Sequence, residues 1–157
     1  MTKKVLASLG IAAMAGALTF TAAAPASAHS ASDAIRYGCG SGFSVVPDGT
    51  RLVKTSAGLT WGNVYLAYNS ATGYNCVVTN KTYYHDTPSE VSASLTVDGV
   101  GAFGAPVTYT YTLPGVLHWV SVDHYAAGHC VKFSGKIWNP AHTAYATGAR
   151  TTFGNCD

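Results

Sequence analysis

Residues 62–80, GNVYLAYNSATGYNCVVTN, set two apolar runs on either side of a short polar break. Both runs are rich in β-branched and aromatic residues, which favour strands. The break, Ser70-Ala71-Thr72-Gly73, suits a type I turn closed by a glycine in the left-handed region. The stretch therefore reads as a β-hairpin. A three-residue loop with a G1 bulge pairs Ser70 with Tyr74, hence Tyr68 with Cys76, Leu66 with Val78 and Val64 with Asn80. That register gathers Val64, Leu66, Tyr68, Cys76 and Val78 on one apolar face. A one-residue slip, with Ala67 opposite Cys76, mixes the faces. On this reading Cys76 points into the core beside Tyr68.

The same pattern continues outward. Val91 to Val97 alternates strictly, Val91, Ala93, Leu95 and Val97 on one side and Ser92, Ser94 and Thr96 on the other, as a strand with one wet face does. Val107 to Leu113 repeats the alternation, and Val116–Val122 and His129–Phe133 read as further strands. Turn signals at Pro47-Asp48-Gly49, Asp98-Gly99 and Pro114-Gly115 divide the runs. Short strands at this spacing predict an all-β fold, a single small antiparallel β-sandwich or barrel over residues 37–157. Residues 29–36 are polar and Ala/Ser-rich and read as a flexible N-terminal lead, with no helical periodicity after the leader.

The leader is residues 1–28. Lys3 and Lys4 precede an apolar run from Val5 to Phe20, and Ala26-Ser27-Ala28 supplies an A-x-A cleavage pattern. This is the layout of a secretory signal peptide, and no later stretch has the length of a transmembrane anchor. All seven Asp and Glu residues lie beyond it, whereas Lys3 and Lys4 account for the formal charge of +2. The exported chain is thus neutral, which argues against nucleic acid as a partner and suits association with other surfaces.

All four cysteines, Cys39, Cys76, Cys130 and Cys156, follow the leader. An even number in an exported chain predicts two disulfides. Three pairings are open; Cys39–Cys76 with Cys130–Cys156 is favoured, one bridge in each half. No C-x-x-C pair points to zinc.

Catalytic constellations are scarce. The chain has no G-x-S-x-G elbow, no H-E-x-x-H and no glycine-rich phosphate loop. Glu90 is the only glutamate, and Asp48 and Asp98 read as turn residues ahead of glycine. Asp123 and His124 are adjacent on a strand and so point to opposite faces. His118, His124 and His129 match no metal-ligand spacing, and His85 falls at a strand-to-loop junction before Pro88. No cofactor and no catalytic residue is therefore assigned. One speculative metal ligand stands apart: cleavage after Ala28 leaves His29 first, offering copper an α-amine and an imidazole. Exported copper enzymes that oxidise polysaccharides begin in this way. Three tryptophans, Trp61, Trp119 and Trp138, supply either core or a sugar-stacking platform.

The segments YGCGSGFSVV (37–46), GNVYLAYNSATGYNCVVTN (62–80), HYAAGHCVKFSG (124–135) and FGNC (153–156) resemble the spore-associated protein A family, small exported proteins of filamentous spore-forming bacteria. The resemblance runs from about Tyr37 to the C-terminus. It implies export and association with the spore or cell-envelope surface, and it brings no catalytic residues. The leading expectation is a secreted, non-catalytic structural or adhesive surface protein of unassigned oligomeric state. Two further readings are a carbohydrate- or cell-wall-binding module and a secreted copper-dependent or hydrolytic enzyme.

Overall fold

The computed structural model describes residues 29–104, 106–107 and 118–156, with only the strand pairing given for 106–107. The leader, most of the expected strand Val107–Leu113, the Pro114-Gly115 turn and the first residues of the expected strand Val116–Val122 lie outside them. Among the described residues no helix is long and apolar enough to cross a membrane.

Among the described residues one helix and nine strands follow one another: α1 (Ala31–Gly38), β1 (Ser44–Lys54), β2 (Thr60–Asn69), β3 (Tyr74–Lys81), β4 (Val91–Val97), β5 (Gly101–Phe103), β6 (Pro106–Val107), β7 (Trp119–Tyr125), β8 (Val131–Trp138) and β9 (Tyr145–Gly154). Every pairing is antiparallel, in the order β5-β4-β8-β9-β1-β2-β3-β7, with β6 also on β4. Strands β1 and β9 meet only at Lys54 and Thr147. About this narrow seam the sheet curls until β4 lies against β3 and β7, giving a nearly closed barrel or sandwich.

The alternation seen in β4 is the packing rule of the interior. Val91, Ala93, Leu95 and Val97 are buried, and from β8 Val131, Phe133 and Ile137 join them. Facing them across the barrel are Val64, Leu66 and Val77 from the β2–β3 hairpin. Gly135 sets how closely the two sides approach: a Cβ there meets the Thr79 hydroxyl and stands 2.8 Å from Val64 Cβ.

The hairpin at 62–80 forms with the other register. Ala67 pairs with Cys76, Leu66 with Val77, Tyr65 with Val78 and Val64 with Thr79. A four-residue loop, Ser70–Gly73, replaces the expected three-residue one. Asn69 O accepts from Thr72 N (3.2 Å) and Gly73 N (2.8 Å), and Gly73 has φ +75°. The segregation argument fails here because neither face is wet. Val64, Leu66 and Val77 face the barrel interior, while Tyr65, Ala67 and Val78 pack under α1. Cys76 is fully buried but sits on that helix side, bonded to Cys39 at the helix C-cap.

That helix corrects the expectation of a loose lead at 29–36. Ser30 caps it, its hydroxyl accepting from Asp33 N at 3.1 Å while the Asp33 carboxylate accepts from Ser30 N at 3.3 Å. This capping box satisfies two otherwise unpaired donors of the first turn. Ala34 and Ile35 then bury against β2 and β3. A second difference concerns Pro47-Asp48-Gly49, which does not end a strand but bulges within β1. Four residues, Val46 to Gly49, intervene between the pairs Val45–Ala67 and Thr50–Tyr65. Asp48 adopts φ +58° there and holds both ends of the Arg51 guanidinium at 2.9 Å.

The disulfides are Cys39–Cys76 and Cys130–Cys156. The first ties α1 to β3; the second closes the β8–β9 hairpin from the residue before β8 to the tail after β9. Two such bridges fit folding in an oxidising environment.

Candidate metal centre

Three histidines from distant parts of the chain meet at the N-terminal end of the helix. His29 directly precedes the Ser30 cap, His85 lies in the segment between β3 and β4, and His118 directly precedes β7. One ring nitrogen from each lies within 4.8 Å of the other two. The His85 and His118 rings stack 3.6 Å apart and 7° from parallel, and His29 stands 4.6 Å from His118 and 5.3 Å from His85 between ring centroids.

Each ring is held by its surroundings. His118 is buried, and its Nδ1–H donates to His85 O at 2.9 Å. His85 Nδ1–H donates to Asp86 Oδ1 at 2.9 Å. With both Nδ1 positions acting as donors, the lone pair of each neutral ring lies on Nε2. His85 Nε2 is buried with no hydrogen-bond partner among the described residues. A histidine whose second nitrogen is tied to a carboxylate or carbonyl is the usual form of a metal ligand, because the tie fixes tautomer and orientation. His29 is fixed through its backbone, since Asn80 Nδ2 donates to its carbonyl at 2.9 Å.

The electrostatics favour a neutral His118 ring. Burial foremost, then the neighbouring His85 and His29, lower the His118 pKa, outweighing the opposite pull of the His85 carbonyl and Asp86. A neutral imidazole is the form that ligates. Below the centre, Lys81 is 2% exposed, and its ammonium donates to Thr87 O at 2.6 Å and Ser89 Oγ at 3.1 Å. These bonds strap down the segment that carries His85. Lys81 N also donates to His118 O at 2.7 Å, so one residue braces two of the three histidines.

Nitrogens bound to one metal at about 2.0–2.1 Å lie about 3–4 Å from one another. The nitrogens of the cluster are within about an ångström of that spacing, but the His85 and His118 planes are parallel and 3.6 Å apart, so one of these rings has to turn before both lone pairs reach the same ion. Imidazole sets of this kind suit zinc, copper and nickel.

The other sequence candidates sit elsewhere: His124 stacks on Phe103, and His129 Nδ1 donates to Asp98 O at 3.1 Å. His142, not a candidate from the sequence, pairs through Nε2 with Glu90 at 2.9 Å. The tryptophans do not form a row. Trp61 is 5% exposed and packs against Tyr83 and Tyr84, which makes it core. Trp138, half-buried, already carries the His142 ring at 4.4 Å and the Lys136 ammonium at 5.2 Å. Trp119 turns its edge to His29 at 5.1 Å and stacks on Tyr37 at 5.9 Å, so it borders the histidine cluster. His85 and His118 were not legible as partners of His29, because no local spacing links them. The only signal was the Ser30-Ala31-Ser32-Asp33 capping pattern, which marks residue 29 as the entry to a helix rather than a loose end.

No protein-family model, curated protein or solved structure matches the chain.

Proposed function

We propose that this is an exported surface protein whose β-barrel binds a transition-metal ion between His29, His85 and His118. The observation that carries the reading is the orphaned His85 Nε2 in a cluster where one ring nitrogen from each of three histidines lies within 4.8 Å of the others and His85 and His118 already have their outer partners. An unpaired buried acceptor costs free energy, and a metal ion removes that cost. The role is binding, with no turnover assigned to it.

The setting of the site rests on the leader, the two disulfides and the resemblance to the spore-associated proteins. Together they support a location outside the cell, on the spore or cell envelope. Calorimetric titration of the chain beginning at His29 with Zn(II) and Cu(II) tests the metal reading; one-to-one binding lost in His118→Ala and His85→Ala supports it, and unchanged binding in both overturns it. Probing mild-detergent extracts of intact spores tests the location, and protein found solely in the culture medium counts against the surface role.

A second reading, polysaccharide binding, has one specific support. Trp138 and half-exposed Tyr145 flank a cleft of about 700 Å³ that Lys54, Thr55, Ser56, Thr143 and Thr147 also line. Retention on chitin, cellulose or peptidoglycan that Tyr145→Ala abolishes would favour it.

A further inference from the structure

Building on the polysaccharide-binding reading, we infer that the outer face of β4, β8 and β9 is a docking trough for an acidic polysaccharide, a chain of sugar rings that carry carboxylates, running from the Trp138–Tyr145 cleft to Phe153.

Strand pairing lays this face out in rows, because alternate residues of β8 and β9 turn away from the core. In the first row Trp138 pairs with Tyr145. In the second, Lys136 lies between Ser92 and Thr147, and Thr147 also pairs with Lys54. In the third, Ser94, Ser134 and Ala149 stand side by side, all of them small. Beyond them Lys132 pairs with Thr96 and sets its ammonium 4.9 Å from the centre of the Phe153 ring. Small side chains between larger ends leave a hollow: a cleft of about 150 Å³, bordered by Ser94, Lys132, Ser134 and Thr151, lies on the same face as the larger one at Trp138 and Tyr145. From Lys132 to Trp138 the strand covers about 20 Å, room for several pyranose rings end to end.

Charge names the occupant. Lys54, Lys132 and Lys136 lie along the trough, and none of them pairs with a carboxylate among the described residues. Strands β4, β8 and β9 contain no Asp or Glu. The acids nearest in sequence stand past the ends of β4: Glu90, engaged by His142 at 2.9 Å, and Asp98 in the following turn. A chain that is neutral beyond its leader thus gathers its lysines on one sheet face, which complements an anionic ligand. The aromatic ends narrow the class further. Tyr145 and Phe153 are both exposed, and Lys136 sits 4.7 Å from the Tyr145 ring centre as Lys132 does from Phe153 at 4.9 Å. Each end therefore offers an apolar ring beside an ammonium, the counterpart of a pyranose with an apolar C–H face and a carboxylate. The hydroxyls of Ser94, Ser134 and Thr147 between them suit sugar hydroxyls, which both donate and accept. A polyol phosphate or an acidic peptide matches the charge but brings no sugar ring to Tyr145 and Phe153.

The test takes the chain beginning at His29, with both disulfides formed, and titrates it calorimetrically with oligogalacturonate, cello-oligosaccharide, oligoglutamate and single-stranded DNA of matched length. The expected result is tightest binding to oligogalacturonate, weakened by added salt as interactions between exposed charges are. Lys132→Gln and Lys136→Gln should each lower that affinity by about 2–5-fold, the scale of an exposed ion pair, while Arg36→Gln in α1 leaves it unchanged. Phe153→Ala should lower it by about 2–10-fold, the scale of one aromatic contact. Cello-oligosaccharide bound as tightly as oligogalacturonate overturns the inference and leaves the polysaccharide reading standing. Oligoglutamate or DNA bound as tightly overturns it in favour of a general polyanion surface. Full affinity in Lys132→Gln and Phe153→Ala alike confines the ligand to the Trp138–Tyr145 cleft and overturns the trough. No binding of oligogalacturonate overturns the inference, and no retention on chitin, cellulose or peptidoglycan either overturns the polysaccharide reading with it.

Discussion

The rings of His85 and His118 lie face to face, 3.6 Å apart and 7° from parallel, although the residues come from opposite flanks of β4. The contact is made by the backbone as much as by the rings. His118 Nδ1–H donates to the His85 carbonyl, and the Lys81 amide donates to the His118 carbonyl. The stack is a packed resting arrangement, from which one ring has to turn for both to ligate a single ion.

Removing either ring tests the centre directly. His118→Ala takes away the buried ligand and His85→Ala the one with the orphaned nitrogen. Each is expected to weaken metal binding by about 100-fold or more, since losing even an outer-shell partner costs about 10–100-fold. His142→Ala, on the Trp138 side, should leave affinity unchanged. Trp119, 5.1 Å from His29, provides the readout: Cu(II) should quench tryptophan emission, and Trp119→Phe should remove most of that quenching.

The two disulfides are expected to separate stability from metal binding. Replacing Cys39 and Cys76 by Ser opens a loop with a sequence separation of 37, and replacing Cys130 and Cys156 one of 26. Each change should cost about 3–4 kcal/mol on chain-entropy grounds. Only the first frees α1, and with it His29, from β3. Urea melts should therefore shift in both variants, while metal affinity falls in the Cys39/Cys76 variant alone.

Which parts of this were legible in the sequence follows from how many faces of each strand are dry. β4 has one wet face, so the alternation of Val91, Ala93, Leu95 and Val97 with Ser and Thr placed it correctly. The 62–80 hairpin is dry on both faces, so any register segregates apolar residues poorly, and the expected pairing came out one residue off. What covers its second face is an eight-residue helix with only Ala34 and Ile35 buried, too short to show a period. The bridge from Cys39 to Cys76 was nonetheless the favoured one of three open pairings, chosen as one bridge in each half and not from the register. The histidine centre is built from the residue ahead of a helix cap, a segment between strands and a strand entry. Only tertiary folding joins these, so the sequence offered His29 alone.

Close packing across the barrel makes a sharp prediction at Gly135. A methyl group there meets Thr79 and Val64 on the facing strands. Gly135→Ala should destabilise by about 1–3 kcal/mol, the usual cost of overpacking. Gly128, where an added Cβ meets nothing within 4 Å but φ is +75°, provides the contrast. Gly128→Ala should cost about 1–2 kcal/mol through backbone strain alone. The Gly135 loss should shrink when Thr79 is cut to Ala, which removes the hydroxyl nearest the added methyl, and the Gly128 loss should not.

Lys81 carries the pH dependence. Burial lowers its pKa to about 8, with Asp86 pulling weakly the other way. In the unfolded chain a lysine titrates near about 10.4. Between these values the unfolded state binds a proton that the folded state does not, so stability rises with pH across that window, by up to about 1.4 kcal/mol per unit. Below about pH 8 both states are protonated and this contribution is flat. Melts of the metal-free protein at ~pH 7.5, 8.5 and 9.5 should show the rise, and Lys81→Met should abolish it. The same substitution removes the bonds to Thr87 and Ser89 that strap down the His85 segment. Its metal affinity should fall even at ~pH 7, where the pH term is absent. Stability that rises as steeply in Lys81→Met as in the parent would assign the dependence to another group.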